Sequence, residues 1–451
     1  MSRGVQKVSV LILSWNGRSH LEACLPALAD QHDPGCDAEV VVLDNGSTDG
    51  TAEWIRKHHP EVRLIASPVN LGFCAGNNRL VEETDGDAVI FLNNDTRPKR
   101  EWLGSLVGAL ASAPDDVAAV SGLIVDWSGE RLDFGRGILT FDGHAFQKDF
   151  GQPLEDVTVP ASGSELPFAC GGNMIVRRES FVAAGGFDAD YFAYLEDVDL
   201  GWRLWSGGER VIFEPAAVVH HRSMATSQHL GNENRGFLFE RNAFLTAYKN
   251  YEPELWRQLA PAILLTLQHR TQTLMVQNNP GGGLLTVNPY AGQIANTGHG
   301  VDPGHAANNG DASTLPPPEP PPSTTLAQKW RGYGPLEFVR RGIRKAARLT
   351  LPRWLWEENS TAPELTDPRT VAQLRALTHL LGHLDASAAK RQRVQARRQR
   401  SDRELFERFP LYVVPTYPGD STLFASEAFE TWLPADLPIE RATLDEIMRA
   451  S

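Results

Sequence analysis

The feature that most constrains the fold is an alternation of strand-like and helix-like segments along residues 1–125. Apolar runs rich in β-branched residues occur at 8–13, 40–43, 62–66, 88–92 and 117–120, and helix-like stretches occur between them at 19–29, 51–58, 75–83 and 101–111. Strands separated by helices are typical of βαβ units, in which successive strands pair in parallel. The sequence therefore predicts an α/β fold with a mostly parallel, doubly wound sheet.

Polar residues follow three of the predicted strands at the point where each strand ends. They are Ser14 and Asn16 after the first strand, the run 44–49 after the second and the run 93–96 after the fourth. The carboxyl ends of parallel strands meet at one edge of a sheet, where ligands bind in folds of this class. No Walker loop and no GxGxxG motif follows a strand, which argues against a kinase-type or dinucleotide-type phosphate site.

Size and charge exclude several classes of protein. The chain has 451 residues, more than the roughly 250–300 that one hydrophobic core supports, so we expect more than one domain. The 43 basic and 56 acidic residues leave a net charge of −13, which argues against a nucleic-acid partner. No apolar run approaches the ~20 residues of a membrane-spanning helix, and the four cysteines show no CxxC spacing. We therefore expect a cytoplasmic protein.

The composition of the chain changes sharply near residue 277. We predict one domain over 1–250, a helical extension over 251–277, a disordered linker rich in Gly, Asn and Pro over 278–325, and a basic helical region with an acidic tail over 326–451. Within residues 326–408, 18 basic and 9 acidic side chains occur. The stretch 338–351 has the pattern of a basic interfacial helix, which would place the protein peripherally on the inner face of the cell membrane. A solvated helix with one face packed on its own domain fits that pattern as well.

Six motifs occur in the same order as in a known enzyme family. They are the run 8–17 followed by VVVLDNGSTDGT, NLGFCAGNN at 70–78, FLNNDT at 91–96, CGGNMIVRRESF at 170–181, GGFDADYFAYLEDVDLGWRL at 185–204, and VVHH at 218–221. Over residues 5–250 the chain resembles the family 2 glycosyltransferases, most closely the branch that includes rhamnosyl- and galactofuranosyltransferases. The resemblance implies a Rossmann-like nucleotide-diphospho-sugar transferase (GT-A) fold, with residues 1–250 as the catalytic domain.

The resemblance also implies an activity. It is an inverting, metal-dependent transfer of a sugar from a UDP- or dTDP-sugar to a hydroxyl of a cell-envelope glycan or of a lipid-linked acceptor. The alternative is a catalytically inactive scaffold that binds a nucleotide sugar or a carbohydrate, because the family's DxD motif is replaced here by Asn93-Asn94-Asp95.

Each site residue is carried over from the position that matches a family motif. The nucleotide-binding candidates are Ser14, Asn16, Asp44, Asn70, Gly72, Asn77 and Asn94. The Asp44 carboxylate could accept the N3–H of uracil or thymine, a hydrogen bond that cytosine cannot supply. The alternative is that Asp44 only organises an Asx turn.

A divalent cation, Mn²⁺ or Mg²⁺, is the implied cofactor, and Asp95 is its predicted carboxylate ligand. Among the two histidines of VVHH, alignment on the motif favours His220 as the second ligand, with His221 as its neighbour. An imidazole ligand would shift the preference from Mg²⁺ towards Mn²⁺, the softer ion.

Asp197 matches the family's general base, and Glu196 would orient the acceptor or the base. One carboxylate suffices for a direct displacement, because it needs only to remove the proton of the acceptor hydroxyl. Gly171, Gly172 and Asn173 resemble the segment beneath the transferred sugar.

Overall fold

A nine-stranded mixed sheet organises the first half of the chain, in the order β3-β2-β1-β4-β10-β6-β11-β5, with β7 paired to β6. It is seen in a computed structural model that describes residues 4–222, 231–279, 365 and 367–449. The strands of the whole chain are β1 (Lys7–Ser14), β2 (Asp37–Asn45), β3 (Arg63–Ser67), β4 (Ala88–Asn93), β5 (Thr96–Pro98), β6 (Val117–Asp126), β7 (Leu132–Phe134), β8 (Gly137–Thr140), β9 (Ala145–Gln147), β10 (Asn173–Arg177), β11 (Arg210–His221), β12 (Leu411–Val413) and β13 (Ile439–Arg441).

Helices separate the strands and then form most of the rest of the chain. They are α1 (Arg18–Ala29), α2 (Thr51–His58), α3 (Gly72–Glu82), α4 (Trp102–Ser112), α5 (Arg178–Ala183), α6 (Glu196–Ser206), α7 (Gly231–Asn250), α8 (Pro253–Asn278), α9 (Pro368–Gly382), α10 (Leu384–Ala396), α11 (Asp402–Phe406), α12 (Asp420–Phe424), α13 (Glu427–Glu430) and α14 (Leu444–Met448). All five predicted strands and all four predicted helices of residues 1–125 are confirmed, with ends that differ by a few residues.

The predicted parallel sheet is confirmed for β3, β2, β1 and β4. β10 then inserts between β4 and β6 and runs antiparallel to both. The central strand β1 is buried along nearly its whole length. Its continuous apolar pattern arises because helices cover both faces of a sheet of this kind. The strand ends that carry the polar clusters therefore lie side by side at one edge.

The C-terminal region is tied to the first half of the chain through a second sheet, of order β13-β12-β8-β9. Its strand β12 runs parallel to β8 and to β13. The region is largely helical, as predicted, but the two three-residue strands β12 and β13 were not predicted. A run of three residues is too short to show strand periodicity.

The contacts group Met1–Met275 and Thr366–Ser451 into one compact unit and Val276–Leu365 into another. The second unit lies almost entirely outside the described residues, as does the basic stretch 338–351. The predicted linker over 278–325 also lies outside them except for its first two residues, and the first of these, Asn278, ends α8. The domain boundaries at residues 250, 277 and 325 stay predictions. None of the helices in the described ranges is both long enough and apolar enough to span a lipid bilayer.

Candidate active site

A cavity of about 600 Å³ opens beyond the carboxyl ends of β1, β2 and β4. Strand ends contribute Leu13, Asn45 and Asn93 to its lining, and the far side comes from the start of α6 and from α7. This position is the one where ligands bind in open α/β sheets. The carboxylates of Asp95 and Asp197 both face this cavity.

Asp95 and His221 meet at the sheet edge. His221 Nε2 lies 3.3 Å from Asp95 Oδ1, and its Nδ1 lies 2.8 Å from Asp133 Oδ2. Burial opposes ionisation of Asp95, but its hydrogen bond to His221 and the charges of His221 and His20 together outweigh that effect and lower the pKa of Asp95. Burial also disfavours the His221 cation, yet Asp133 and Asp95 together raise the pKa of His221 to about 10. Without a cation, His221 is therefore an imidazolium whose two N–H groups face Asp133 and Asp95, and a metal ion bound at Nε2 would displace the proton on that nitrogen.

The donor set fits a divalent cation that has two protein ligands. Within residues 4–222, 231–279 and 367–449, no group of three or more His, Cys, Asp or Glu side chains is arranged to hold a metal ion. The 3.3 Å between Asp95 Oδ1 and His221 Nε2 is close to the separation of about 3 Å between adjacent ligands of an octahedral Mg²⁺ shell. Asp133 holds the other ring nitrogen, as carboxylates commonly do behind metal-bound histidines. Such a cation takes its remaining ligands from substrate phosphates and water.

His220, the predicted metal ligand, does not lie at this position. Neighbouring residues of a strand point to opposite faces, so when His221 faces Asp95, His220 faces away from it. Its ring lies against Gly129, where an added Cβ would be 2.7 Å from His220 Cε1. His220 does not line the cavity. In this structure His221, and not the predicted His220, is therefore the candidate histidine ligand of the cation.

Asp197 and Glu196 open helix α6 at the wall of the cavity. The Gly171 N–H donates to Asp197 Oδ2 at 3.0 Å, and the Val198 N–H donates to Oδ1 at 2.8 Å. Burial raises the pKa of Asp197, and burial together with the charge of Asp197 raises the pKa of Glu196 to about 8. Glu196 Oε2 is buried without a hydrogen-bond partner in the described structure. At neutral pH the pair therefore holds one negative charge, on Asp197, beside a neutral carboxyl group.

The loop before α6 has an unusual backbone. Phe192, Tyr194 and Leu195 have φ angles of 63°, 70° and 61°, a left-handed conformation that is rare outside glycine. The Asn242 side chain donates to the carbonyls of Ala193 at 2.8 Å and Tyr194 at 2.7 Å. Backbone strain of this kind persists only where surrounding groups hold it, and it occurs often at functional sites.

The predicted nucleotide-binding residues divide into two groups. Asn70, Gly72, Asn77 and Asn94 line the cavity. Ser14, Asn16 and Asp44 are not among the lining residues. Ser14 Oγ accepts from Asn94 Nδ2 at 3.1 Å, and Oδ1 of the exposed Asn16 accepts from the Thr48 N–H at 2.8 Å.

The Asp44 side chain forms an Asx-type turn, which was the alternative to a contact with a nucleobase. Its Oδ1 accepts from the Ser47 N–H at 3.2 Å, as in an Asx-type turn, and its side chain is buried. The contact of Asp44 with a nucleobase stays a prediction.

The glycine-rich segment after Cys170 lies beneath the cavity. Gly171 and Gly172 line it, and an added Cβ at Gly172 would be 2.8 Å from Asn93 Nδ2, so the Asn93 side chain would have to move. Asn173 does not reach the cavity. Its Oδ1 accepts from Trp102 Nε1 at 2.7 Å and its Nδ2 donates to two backbone carbonyls, so all its polar atoms are paired in the interior. Its assignment to sugar or acceptor binding is not supported by this geometry.

Sequence reasoning missed several cavity residues, among them Asp133, Arg235 and Phe239. Asp133 lies on the three-residue strand β7, and Arg235 and Phe239 lie on α7, beyond the last motif. The helical spacing of 235 and 239 places them on one face, but a pattern of this kind does not distinguish a cavity wall from an ordinary core face.

Comparisons with known proteins give the same family as the six sequence motifs. A model of the family described as glycosyl transferase family 2 matches residues 9–183. The N-acetylglucosaminyl-diphospho-decaprenol L-rhamnosyltransferase of Mycobacterium tuberculosis is 32% identical over 241 residues, which are 49% of this chain and 77% of that protein. The pre-mycofactocin glycosyltransferase of the same organism is 30% identical over 183 residues, which are 40% of this chain and 37% of that protein.

Among solved structures, a mannosyltransferase from Pyrobaculum calidifontis in complex with GDP-Man and Mn²⁺ is 18% identical, with a TM-score of 0.42. The match covers 84% of this chain and 88% of that one. From the family model and the extent of the rhamnosyltransferase match, this chain belongs to glycosyltransferase family 2.

Proposed function

We propose that this enzyme transfers a sugar, with inversion and with a divalent cation, from a UDP- or dTDP-sugar to a hydroxyl of a lipid-linked or cell-envelope glycan acceptor. The observation that carries the proposal is that one cavity holds both Asp197 and the Asp95–His221 pair. A base and a cation site on one cavity are what a direct displacement at an anomeric carbon requires.

Asp197 is the proposed general base. Its two backbone hydrogen bonds fix the carboxylate and leave lone pairs on both oxygens for an acceptor hydroxyl. As the acceptor oxygen bonds to the anomeric carbon, its proton passes to Asp197, and the bond from that carbon to the diphosphate oxygen breaks on the opposite face. Because burial raises the pKa of Asp197, it is a stronger base than an exposed aspartate.

Asp95 and His221 are the proposed ligands of the cation, and Asp133 is proposed to orient His221. A divalent cation in this position, when bound, neutralises the charge that develops on the departing nucleoside diphosphate. The amide side chains of Asn70, Asn77 and Asn94 are proposed donor contacts on the same wall.

The acceptor class is proposed from a relative. The mycobacterial rhamnosyltransferase is named for a sugar on diphospho-decaprenol, and the cavity of this chain has several half-buried aromatic side chains that suit a sugar or an apolar chain. A lipid-linked acceptor is consistent with both observations.

A membrane contact is proposed only for the stretch 338–351, which lies outside the described residues. In the described part of the basic region, several cations contact the chain itself. Lys390 pairs with Asp188 and Asp190, and Arg408 lies 2.8 Å from Glu165. These contacts favour the alternative in which basic helices pack on the chain's own acidic domain.

Substitution of the base tests the proposal. Asp197→Asn keeps the shape of the side chain but cannot accept the proton, so we expect kcat to fall by about 10² to 10⁴-fold. We expect affinity for UDP or dTDP with Mn²⁺ to stay within about twofold, since Asp197 takes no part in donor binding in this proposal. Asp95→Ala should instead abolish the Mn²⁺-dependent part of nucleotide affinity, measured by calorimetry.

Two outcomes would contradict the proposal. Turnover of Asp197→Asn near the wild-type rate would remove Asp197 as base. Absence of nucleoside diphosphate release by the wild-type protein, with a panel of UDP-, dTDP- and GDP-sugars in the presence or absence of acceptor, would instead favour an inactive binding scaffold.

A further inference from the structure

One wall of the cavity, away from the donor-side asparagines, combines a cation with aromatic side chains. Arg235 and Phe239 project from the first turns of α7, one helical turn apart. Phe146 and Phe150 line the cavity from the segment that includes β9. All four side chains are half-buried, so each keeps surface that a ligand could cover.

The charges of the cavity lining make Arg235 distinctive. Four carboxyl groups face the cavity, from Asp95, Asp133, Glu196 and Asp197. Among the described lining residues, Arg235 is the only arginine or lysine. Without a metal, the ionised carboxylates of this lining would repel an anionic group. The cationic side chains that such a group could meet are His221, which already lies between Asp95 and Asp133, and Arg235. A guanidinium also matches the geometry of phosphate oxygens through paired N–H donors.

α7 supports the loop that leads to the proposed base. Asn242 of α7 donates to the carbonyls of Ala193 and Tyr194, in the loop that leads directly to Glu196 and Asp197. The acceptor hydroxyl must reach Asp197, so the acceptor passes along the wall that α7 supports. The proposed cation ligands, Asp95 and His221, instead lie at the edge of the sheet.

The wall is rigidly supported from behind. The Phe239 ring lies 4.9 Å from the ring of His144. The next residue, Glu240, is buried and accepts from the Tyr417 hydroxyl at 2.9 Å. The C-terminal region thus holds α7 in register with the cavity, which a preformed binding surface requires.

We propose that Arg235 binds the phosphate or diphosphate group of an anionic, lipid-linked acceptor, and that Phe239 and Phe146 contact the parts of the acceptor on either side of it. The inference rests on the proposed function, and it adds a specificity-determining residue outside every motif of the family. Arg235 discriminates between anionic and neutral acceptors of the same length.

A binding experiment tests this without requiring turnover. Decyl diphosphate and the neutral decyl glycoside of N-acetylglucosamine are titrated below their micellar concentrations, in EDTA, which removes the cation that diphosphate binding at the donor site would need. Arg235→Ala should weaken decyl diphosphate binding by about tenfold or more, because a charge-assisted hydrogen bond is lost. Binding of the neutral glycoside should change less than about twofold. Arg235→Gln, which keeps most of the side chain, should behave like Arg235→Ala.

A matched control variant and an assay of sugar-nucleotide hydrolysis distinguish a failure of this inference from a failure of the proposed function. Arg257→Ala removes an exposed arginine of α8 and should leave both affinities unchanged. The inference is overturned if wild-type protein does not bind decyl diphosphate, if Arg235→Ala weakens both probes equally, or if Arg257→Ala has the same effect. If sugar nucleotides are still hydrolysed in any of these cases, only the inference fails; loss of all donor turnover by wild-type protein is a failure of the proposed function.

Discussion

At the scale of single residues, two adjacent histidines of this enzyme point to opposite faces of β11, and the backbone register determines which of them faces Asp95. The two histidines of VVHH differ because β11 pairs with β6 through an irregularity between Glu214 and Val218. A shift of one residue in a strand exchanges its two faces. The motif could therefore predict that a histidine lies near Asp95, but not which one, because Pro215 signals an irregularity in β11 without fixing how far it shifts the register.

Glu196 and Asp197 are also adjacent residues that differ, in this case in the pKa of their carboxyl groups. With a pKa raised to about 8, Glu196 is neutral at pH 7, whereas Asp197 is the more acidic of the two. Glu196→Gln copies the neutral form, so we expect kcat/KM for the donor at pH 7 to stay within about threefold of wild type. Above pH 8 ionisation of Glu196 adds a second buried charge that repels the anionic donor, so wild-type kcat/KM should fall.

The measurement is a profile of kcat/KM between pH 6 and 9.5 for both proteins. The Gln variant should lack the decline near pH 8 that the wild type shows. An identical decline in both proteins would mean that another group titrates, and a large loss in the variant at pH 7 would assign Glu196 an ionised role.

At the scale of elements, helix α6 can be predicted from the sequence, but the backbone conformation of the loop before it cannot. Its start at Glu196, its end at Gly207, and the packing of Trp202 and Trp205 in the core follow from periodicity and caps. The left-handed residues before it could not be predicted, because nothing in Phe192 or Tyr194 favours positive φ. They are held in place by contacts with α7, which is about fifty residues later in the chain.

Asn242→Ala tests whether α7 positions the base. Asn242 is fully buried and donates to three carbonyls of the loop, from Tyr191, Ala193 and Tyr194. Arg241 still donates to the Tyr191 carbonyl in this variant, but the loss of the donor to the carbonyls of Ala193 and Tyr194 should lower the free energy of unfolding by about 1–3 kcal/mol. Release of the strained loop should lower kcat by about tenfold or more, since small displacements of a catalytic group are costly, while the KM for the donor stays nearly constant.

Asn232→Ala, at an exposed position of the same helix, is the control and should change neither quantity. Equal losses in kcat and in donor affinity for Asn242→Ala would indicate general unfolding of the cavity rather than misplacement of Asp197.

At the scale of the whole molecule, buried charges join segments that are far apart in sequence. Arg270 of α8 lies 3.1 Å from Asp142, after β8, and 3.0 Å from Asp420 of the C-terminal region. His144 lies 3.1 Å from Asp142 and 3.5 Å from Glu240 of α7. Sequence analysis predicted a separate basic region after residue 326. It could not reveal this network, because each member is an ordinary charged residue until partners more than a hundred positions away are known.

This network predicts a dependence of stability on pH. Burial alone would lower the pKa of His144, but the charges of Asp142 and Glu240 outweigh it and raise the pKa to about 9. The folded state therefore binds a proton more tightly than the unfolded chain, in which histidine has a pKa near 6.5. The stabilisation is complete below about pH 6.5 and is lost as the pH rises towards 9, by at most about 3 kcal/mol.

Urea unfolding at several pH values between 6 and 9.5 measures the effect, with His144→Gln as the variant and His58→Gln, at an exposed position, as the control. The free energy of unfolding should decline with pH in wild type and in the control, and should decline less steeply in His144→Gln, in which the raised pKa values of His221 and Glu196 still contribute. The variant should also be less stable at pH 6.5, because Asp142 and Glu240 lose a buried counter-charge and Arg270 alone remains to balance them together with Asp420. A parallel decline in all three proteins would show that His144 does not gain a proton in the folded enzyme.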